Sequence, residues 1–363
     1  MPGRSIATEL AQLTQRFEAA GIESARVDAE LLIAHVLKIS RGAVQAQALV
    51  GTSLGDSQAE ALDALAARRA AREPLQHLTG IAHFRQLELA VGRGVFVPRP
   101  ETESLAQLAI DALLGAETEH PIGIDLGTGS GAIALSMAVE VPEAQIYAVE
   151  KSTEAFPFTR KNFERYEHTG AELRLGDLRD EFADLDGLVD VVASNPPYIP
   201  LAAVPRDPEV RDFDPALALY GGADGMSVIH LVSATAHRLL KPGGRACIQS
   251  IVIQDALFER YIRSTDFIQQ YIFPGGCLPS PSEFKKQAEA AGLQVVDSFA
   301  FGPDYAETLR RWRASFMASL QEVKMLQFDD RFIRLWEFYL AYCEAAFDEA
   351  NIDVIQFTLA KPN

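Results

Sequence analysis

The sequence predicts an α/β protein, a parallel sheet with helices on both faces, preceded by a small helical N-terminal domain and a β-hairpin. Three observations carry this expectation. The first 75 residues place apolar side chains three and four apart, residues 84–97 switch to a period of two, and residues 122–249 alternate strand-like with helix-like segments.

In the N-terminal domain, residues 1–75, Ser5 to Ala20, Asp28 to Leu37 and Asp56 to Arg72 read as helices, with Ser or Asp at their starts. Residues 76–100 form the linker. There Leu87, Leu89 and Val91 share one side of a strand, and Gly92 and Gly94 are expected to turn the chain into Val95-Phe96-Val97. Pro98-Arg99-Pro100-Glu101-Thr102-Glu103 follows, with prolines that favour an extended backbone and acids that suit a first helical turn.

Residues 101–249 supply the sheet. IGIDL, QIYAVE, ELRLGD and VDVVASN are strands, with helices from Ser130 and Thr153 between the first three. A helix at Ser227–Leu240 and the turn Lys241-Pro242-Gly243-Gly244 lead to the strand ACIQSIVI. Beyond it the composition breaks: Phe, Tyr and Trp number 12 in residues 1–249 and 19 in the much shorter 250–363. This places a seam near residue 249. The tail reads as helices from Ser282, Tyr305 and Arg331 and two strands, LQVVDSFAF and DVIQFTLA.

The 363 residues carry 33 Lys and Arg against 50 Asp and Glu, a net charge of −17, which argues against direct tracking of nucleic-acid phosphates. Cys247, Cys277 and Cys343 match no metal-ligand spacing, nor do the seven histidines, so no metal site is expected. The N-terminus lacks the roughly 7–15-residue apolar core of a signal peptide, and no stretch approaches the ~18 apolar residues of a membrane span. A cytoplasmic protein with no stable membrane insertion is the expectation.

Two segments carry chemistry. Asp125-Leu126-Gly127-Thr128-Gly129-Ser130-Gly131 follows a strand and opens a helix, where small residues let backbone N–H groups approach a ligand. A tight turn with no ligand is the alternative. Glu150 ends the next strand, where doubly wound folds place an acid on ribose hydroxyls, and Asp177 ends the third, within reach of an adenine amine. Asn195-Pro196-Pro197-Tyr198 ends the fourth strand. There the Asn195 side-chain carbonyl and the Pro196 backbone carbonyl each accept one N–H of a planar NH₂ group. Pro196 and Pro197 restrict the loop, and Tyr198 supplies a flat wall.

The glycine loop resembles that of S-adenosyl-L-methionine-dependent methyltransferases. The resemblance implies a Rossmann-like sheet binding that cofactor through Asp125, Gly127, Thr128, Gly129, Gly131, Glu150, Asp177 and Asn195. In this reading Asp125 faces the sulfonium and methionine end, Glu150 the ribose and Asp177 the adenine. Residues 1–248 resemble the HemK/PrmC family of release-factor glutamine methyltransferases. The motifs are Glu73-Pro74-Leu75-Gln76, Thr79-Gly80, the run from Phe96 to Glu103, the glycine loop, the Asn-Pro-Pro-Tyr segment, Pro208 to Phe213, and Gly221-Gly222. The family implies methylation of the glutamine amide nitrogen in the GGQ loop of peptide chain release factors, with the helical domain and hairpin docking that partner. Arg99, Pro100, Glu101 and Thr102 either line the substrate site or anchor a helix start.

Residues 250–363 are similar to the C-terminal part of cyclopropane-fatty-acid synthases, through the segments 271–276, 302–309 and 332–343. In that family Tyr305 matches a tyrosine that helps hold a catalytic carbonate. The rest of the carbonate site belongs to the half this chain lacks, and Gln249 stands where that family often carries histidine. Methyl transfer to lipid double bonds, or an inactive chimera, is therefore the alternative function. Only under the lipid reading is lipid a partner.

Overall fold

The computed structural model describes residues 4–197, 199, 201, 208–223, 227–272, 277–325 and 328–362. Five helices open the chain: α1 (Ile6–Ala19), α2 (Ala25–Leu37), α3 (Arg41–Leu49), α4 (Asp56–Ala70) and α5 (Leu75–Thr79). Ser5 and Ser40 cap α1 and α3 by accepting the Thr8 and Ala43 N–H groups. The apolar stripes meet in a core containing Phe17, Leu32, Ile33 and Leu62. Within it Arg69 pairs with Asp28 at 2.7 Å, both buried.

The hairpin differs from its expected form. Its strands are β1 (Ile81–Phe84) and β2 (Leu87–Ala90), so the hairpin turn lies at Arg85-Gln86. The chain also turns at Gly92–Gly94, where the Val95 N–H donates to the Gly92 carbonyl at 3.2 Å, but residues 95–97 form no strand. Arg85 adopts a left-handed conformation (φ 49°), and its side chain reaches Glu140 through two 2.7 Å bonds. Its N–H donates to Glu103, and these tertiary bonds hold a hairpin turn that has no glycine of its own.

The α/β part runs through α6 (Thr102–Leu114), β3 (Ile122–Leu126), α7 (Ala132–Glu140), β4 (Gln145–Glu150), α8 (Phe156–Arg165), β5 (Glu172–Leu175) and β6 (Val189–Ala193). It continues with α9 (Pro208–Phe213), α10 (Ala216–Leu219), α11 (Ser227–Leu239) and β7 (Leu240–Ile253). The remainder comprises α12 (Asp255–Tyr261), α13 (Phe267–Tyr271), α14 (Pro281–Ala290), β8 (Gln294–Ala300), α15 (Gly302–Ala318), α16 (Leu320–Met325), α17 (Asp330–Asp348) and β9 (Ile352–Ala360).

The large sheet has the order β5-β4-β3-β6-β7-β9-β8, parallel except for β9, which runs antiparallel to both neighbours. Strand order reverses between β3 and β6, where Asp125 pairs with Ala193, so the segments after these strands emerge side by side at one edge. Open α/β sheets bind ligands at such a switch point. One face of the sheet is covered by α6 and α7 through Ala106, Ile110, Leu135 and Met137. Phe182, Leu185 and Leu239 cover the other.

The tail completes this sheet. β9 pairs with β7 from Arg245–Ala360 to Ile253–Ile352, and Phe357 stacks on Phe284 of α14 at 4.0 Å. On the opposite face α15 and α17 pack Ala306, Leu309, Leu340 and Phe347 against Val354. The expected turn Lys241–Gly244 lies inside β7, where Leu240 pairs with Val189 and Arg245 with Val191, so that three extra residues loop out with Gly243 at φ 76° after Pro242. Lys361 closes it by donating to the His237 and Leu240 carbonyls at 2.8 and 2.9 Å.

Candidate active site

The glycine loop is shaped by its positive φ angles: +74° at Gly127, +59° at Gly129 and +88° at Gly131, a region that costs other residues about 1–2 kcal/mol. A Cβ placed on Gly127 or Gly129 would meet nothing within 4 Å, so open space lies over both. One on Gly131 would come within 2.9 Å of the Phe163 ring, so that glycine serves packing.

Asp125 lies beneath the loop, wholly buried. Its Oδ2 accepts from Thr128 Oγ1 at 2.6 Å and from the Ala134 N–H at 3.2 Å, while Oδ1 has no hydrogen-bond partner in the structure. Burial pushes this carboxyl up to about 7, against the pull of those two donors and helped by the charge of Glu150. Glu150, also buried and shifted upward, accepts from the Gly129 N–H at 2.8 Å and the Ser152 N–H at 2.6 Å. Both acids therefore organise the loop, and Glu150 has further lone pairs for a diol.

Asp177 reaches the same edge with both oxygens engaged. Arg179 and Lys151 pair with it at 2.8 Å and hold its carboxyl far below the usual range.

Two residues that sequence reasoning missed hold the loop from behind. On α8, Thr159 Oγ1 donates to the Gly129 carbonyl at 2.5 Å, and Asn162 Nδ2 donates to Ser130 at 2.8 Å and Ala90 at 3.0 Å. The Ala90 N–H returns a 2.6 Å bond to Asn162 Oδ1, so one buried amide ties the hairpin to the loop. The signal available was two polar residues three apart on what is otherwise the helix's buried face.

Across the switch point, Asn195 is exposed and its Nδ2 donates to Thr102 Oγ1 at 3.3 Å. Pro196 and Pro197 follow at the same edge, half-buried, and Ser194 Oγ donates to the Leu126 carbonyl at 2.6 Å, fixing the two loops together. Tyr198 lies outside the described residues.

The 99–103 segment divides its tasks. Arg99 pairs with the buried Asp214 at 2.6 Å, its guanidinium 5.0 Å from the centre of the Phe96 ring. Pro100 precedes Glu101, which stands exposed at the helix cap without a side-chain capping bond. Thr102 meets Asn195, and Glu103 meets the Arg85 N–H. Tyr305 is elsewhere: on α15 its ring packs against Phe347 at 5.1 Å and Trp312 at 6.5 Å, and no described contact joins it to Asn195.

The open glycine cradle, the acid at the end of β4 and the unpartnered buried Asp125 Oδ1 suit a nucleoside cofactor with a cationic end. Known proteins agree. Residues 9–80 match the family model for the PrmC N-terminal domain, 93–204 that for the methyltransferase small domain, and 225–357 that for mycolic acid cyclopropane synthetase. A release factor glutamine methyltransferase of Streptomyces coelicolor is 49% identical over 243 residues, 66% of this chain and 83% of its own length. One from Bifidobacterium longum is 42% identical over 267 residues, 70% of this chain and 90% of its own length.

A 4-amino-L-phenylalanine/4-methylamino-L-phenylalanine methyltransferase of Streptomyces pristinaespiralis is 36% identical, covering 72% of this chain and 88% of that one. Among solved structures, a mycolic acid cyclopropane synthase complexed with SAH and CTAB aligns with a TM-score of 0.43 at 25% identity, over 72% of this chain and 85% of that one.

The chain is thus an S-adenosyl-L-methionine-dependent methyltransferase. It belongs to the release factor glutamine methyltransferase family, with a C-terminal part matched by the cyclopropane synthetase model. Among the described residues no helix is long and apolar enough to cross a membrane.

Proposed function

We propose that the protein methylates the side-chain amide nitrogen of the GGQ glutamine in peptide chain release factors. The observation that carries this is the meeting of the glycine cradle and Asn195 at the β3/β6 switch point. S-adenosyl-L-methionine, when bound, supplies a methyl group already activated on a sulfonium.

The protein's contribution is placement. Gly127 and Gly129 keep the cradle open, Glu150 takes the ribose, and Asp125 braces the loop from below through Thr128 and the Ala134 N–H. Asn195 Oδ1 and the Pro196 carbonyl accept the two N–H bonds of the glutamine amide and hold its plane toward the methyl group. An amide nitrogen is a poor nucleophile because its lone pair is delocalised, so orientation carries much of the rate.

The helical domain is the docking platform for the release factor, and its Arg69 pairs with Glu209 of α9 at 2.8 Å, joining it to the catalytic part. The organisation that fits this reading is a docking domain at 1–75, a linker at 76–100, a methyltransferase core at 101–249 and a sheet-completing segment at 250–363.

Incubation with a purified release factor and methyl-labelled cofactor should label the GGQ glutamine alone. Absence of label with cofactor bound overturns the reading. The cyclopropane synthetase match at 225–357 favours a lipid substrate as the second reading. Cyclopropane product in lipids of cells expressing the chain, lost in Tyr305→Phe, would establish it.

A further inference from the structure

We propose that Thr102 is a positioning residue whose hydroxyl oxygen takes the Nδ2–H of Asn195 and thereby aims Oδ1 at the substrate nitrogen. This rests on the reading of Asn195 as an acceptor given above. The two ends of an asparagine amide have nearly the same shape, but one donates and the other accepts. A substrate NH₂ requires the accepting end, and a flipped amide would set N–H against N–H. The substrate NH₂ selects Oδ1, because only that end of the amide accepts, and Thr102 Oγ1, 3.3 Å from Nδ2, takes the other end and holds the amide in place.

Thr102 is itself fixed. It is the first residue of α6, and its N–H donates to the Arg99 carbonyl at 3.0 Å. Arg99 is held by the buried carboxylate of Asp214 at 2.6 Å, and on the other side Glu103 accepts the Arg85 N–H at 2.9 Å. Behind it, Ala106 and Ile110 anchor the helix on the sheet. Asp214 closely follows α9, whose Glu209 pairs with Arg69 of the helical domain. The threonine oxygen therefore stands at the end of a run of ion pairs beginning in the docking domain.

The test measures release-factor methylation at saturating cofactor for the wild type, Thr102→Val, which keeps the shape but loses the oxygen, and Thr102→Ser, which keeps the oxygen. Thr102→Val should lower kcat by about tenfold to a hundredfold, with the release-factor KM and cofactor Kd within about twofold of wild type. Thr102→Ser should stay within about threefold. A valine variant that turns over like the wild type, or a serine variant as impaired as the valine one, overturns the proposal.

A second readout does not depend on the substrate. In protein labelled with ¹⁵N-asparagine, the Asn195 side-chain amide is assigned by its loss in Asn195→Ala. Its proton shifts should move in Thr102→Val and remain near wild type in Thr102→Ser; unchanged shifts in the valine variant overturn the proposal. If wild type labels no glutamine, the functional reading fails, and the amide resonance alone decides the geometry.

Discussion

Gly129 combines a left-handed backbone with open space above it, and the two features make separable predictions. Gly129→Ala should cost about 1–2 kcal/mol in folding through the backbone alone. Its Cβ should also enter the cradle and weaken cofactor affinity, which calorimetric titration would measure. An alanine variant that binds cofactor as the wild type does would show that the space is not the binding site.

Asp125 makes a pH prediction. Its carboxyl is raised in the fold from 3.8 to about 7 by burial, so between those values the native state holds a proton that the unfolded chain has released. Stability from this group is therefore present at low pH and falls as pH rises through that window. Asp125→Asn keeps an acceptor for Thr128 and Ala134 and removes the titration. Its melting temperature should gain on that of the cofactor-free wild type between about pH 5 and 7.5. Parallel profiles would contradict the assignment.

At the scale of elements, α8 determines whether the hairpin and the loop share one position. Asn162→Ala would strand the Ala90 N–H and two carbonyls in a buried site, at a cost of about 2–4 kcal/mol, together with weaker cofactor binding. Thermal melts with and without cofactor would measure both, and a stability loss below 1 kcal/mol would be inconsistent with the buried bonds.

The strands β3, β4 and β6 were legible because buried parallel strands are short apolar runs bounded by turns, as in IGIDL and QIYAVE. The hairpin turn was not. The glycines at 92 and 94 carry the stronger local signal and do turn the chain, whereas the hairpin turn depends on Glu103 and Glu140, both remote in sequence from Arg85. The gathering of the glycine loop, Glu150 and Asp177 at one edge of the sheet was legible from loop and spacing. The support from Thr159 and Asn162 was legible only as two polar residues on the buried face of α8, which does not say which distant loop they brace.

At the scale of the whole molecule, the aromatic tail is a structural part of the sheet. β9 inserts between β7 and β8, and Phe357 and Leu359 share a buried cluster with Val252. A chain ending at residue 253 would leave β7 as a bare edge, and it should lose its cooperative melt and aggregate. A truncated chain that melts as sharply as the full one would make the tail an appendage. The tail also leaves Phe299, Trp312 and Phe338 at least half exposed.

The most direct measurement of the central claim uses Asn195→Ala. Mass spectrometry of a release factor incubated with this variant and S-adenosyl-L-methionine should find the GGQ glutamine unmethylated, while calorimetry finds the cofactor still bound. Methylation at the wild-type rate would contradict the account, because the amide of Asn195 would then not be what orients the substrate nitrogen.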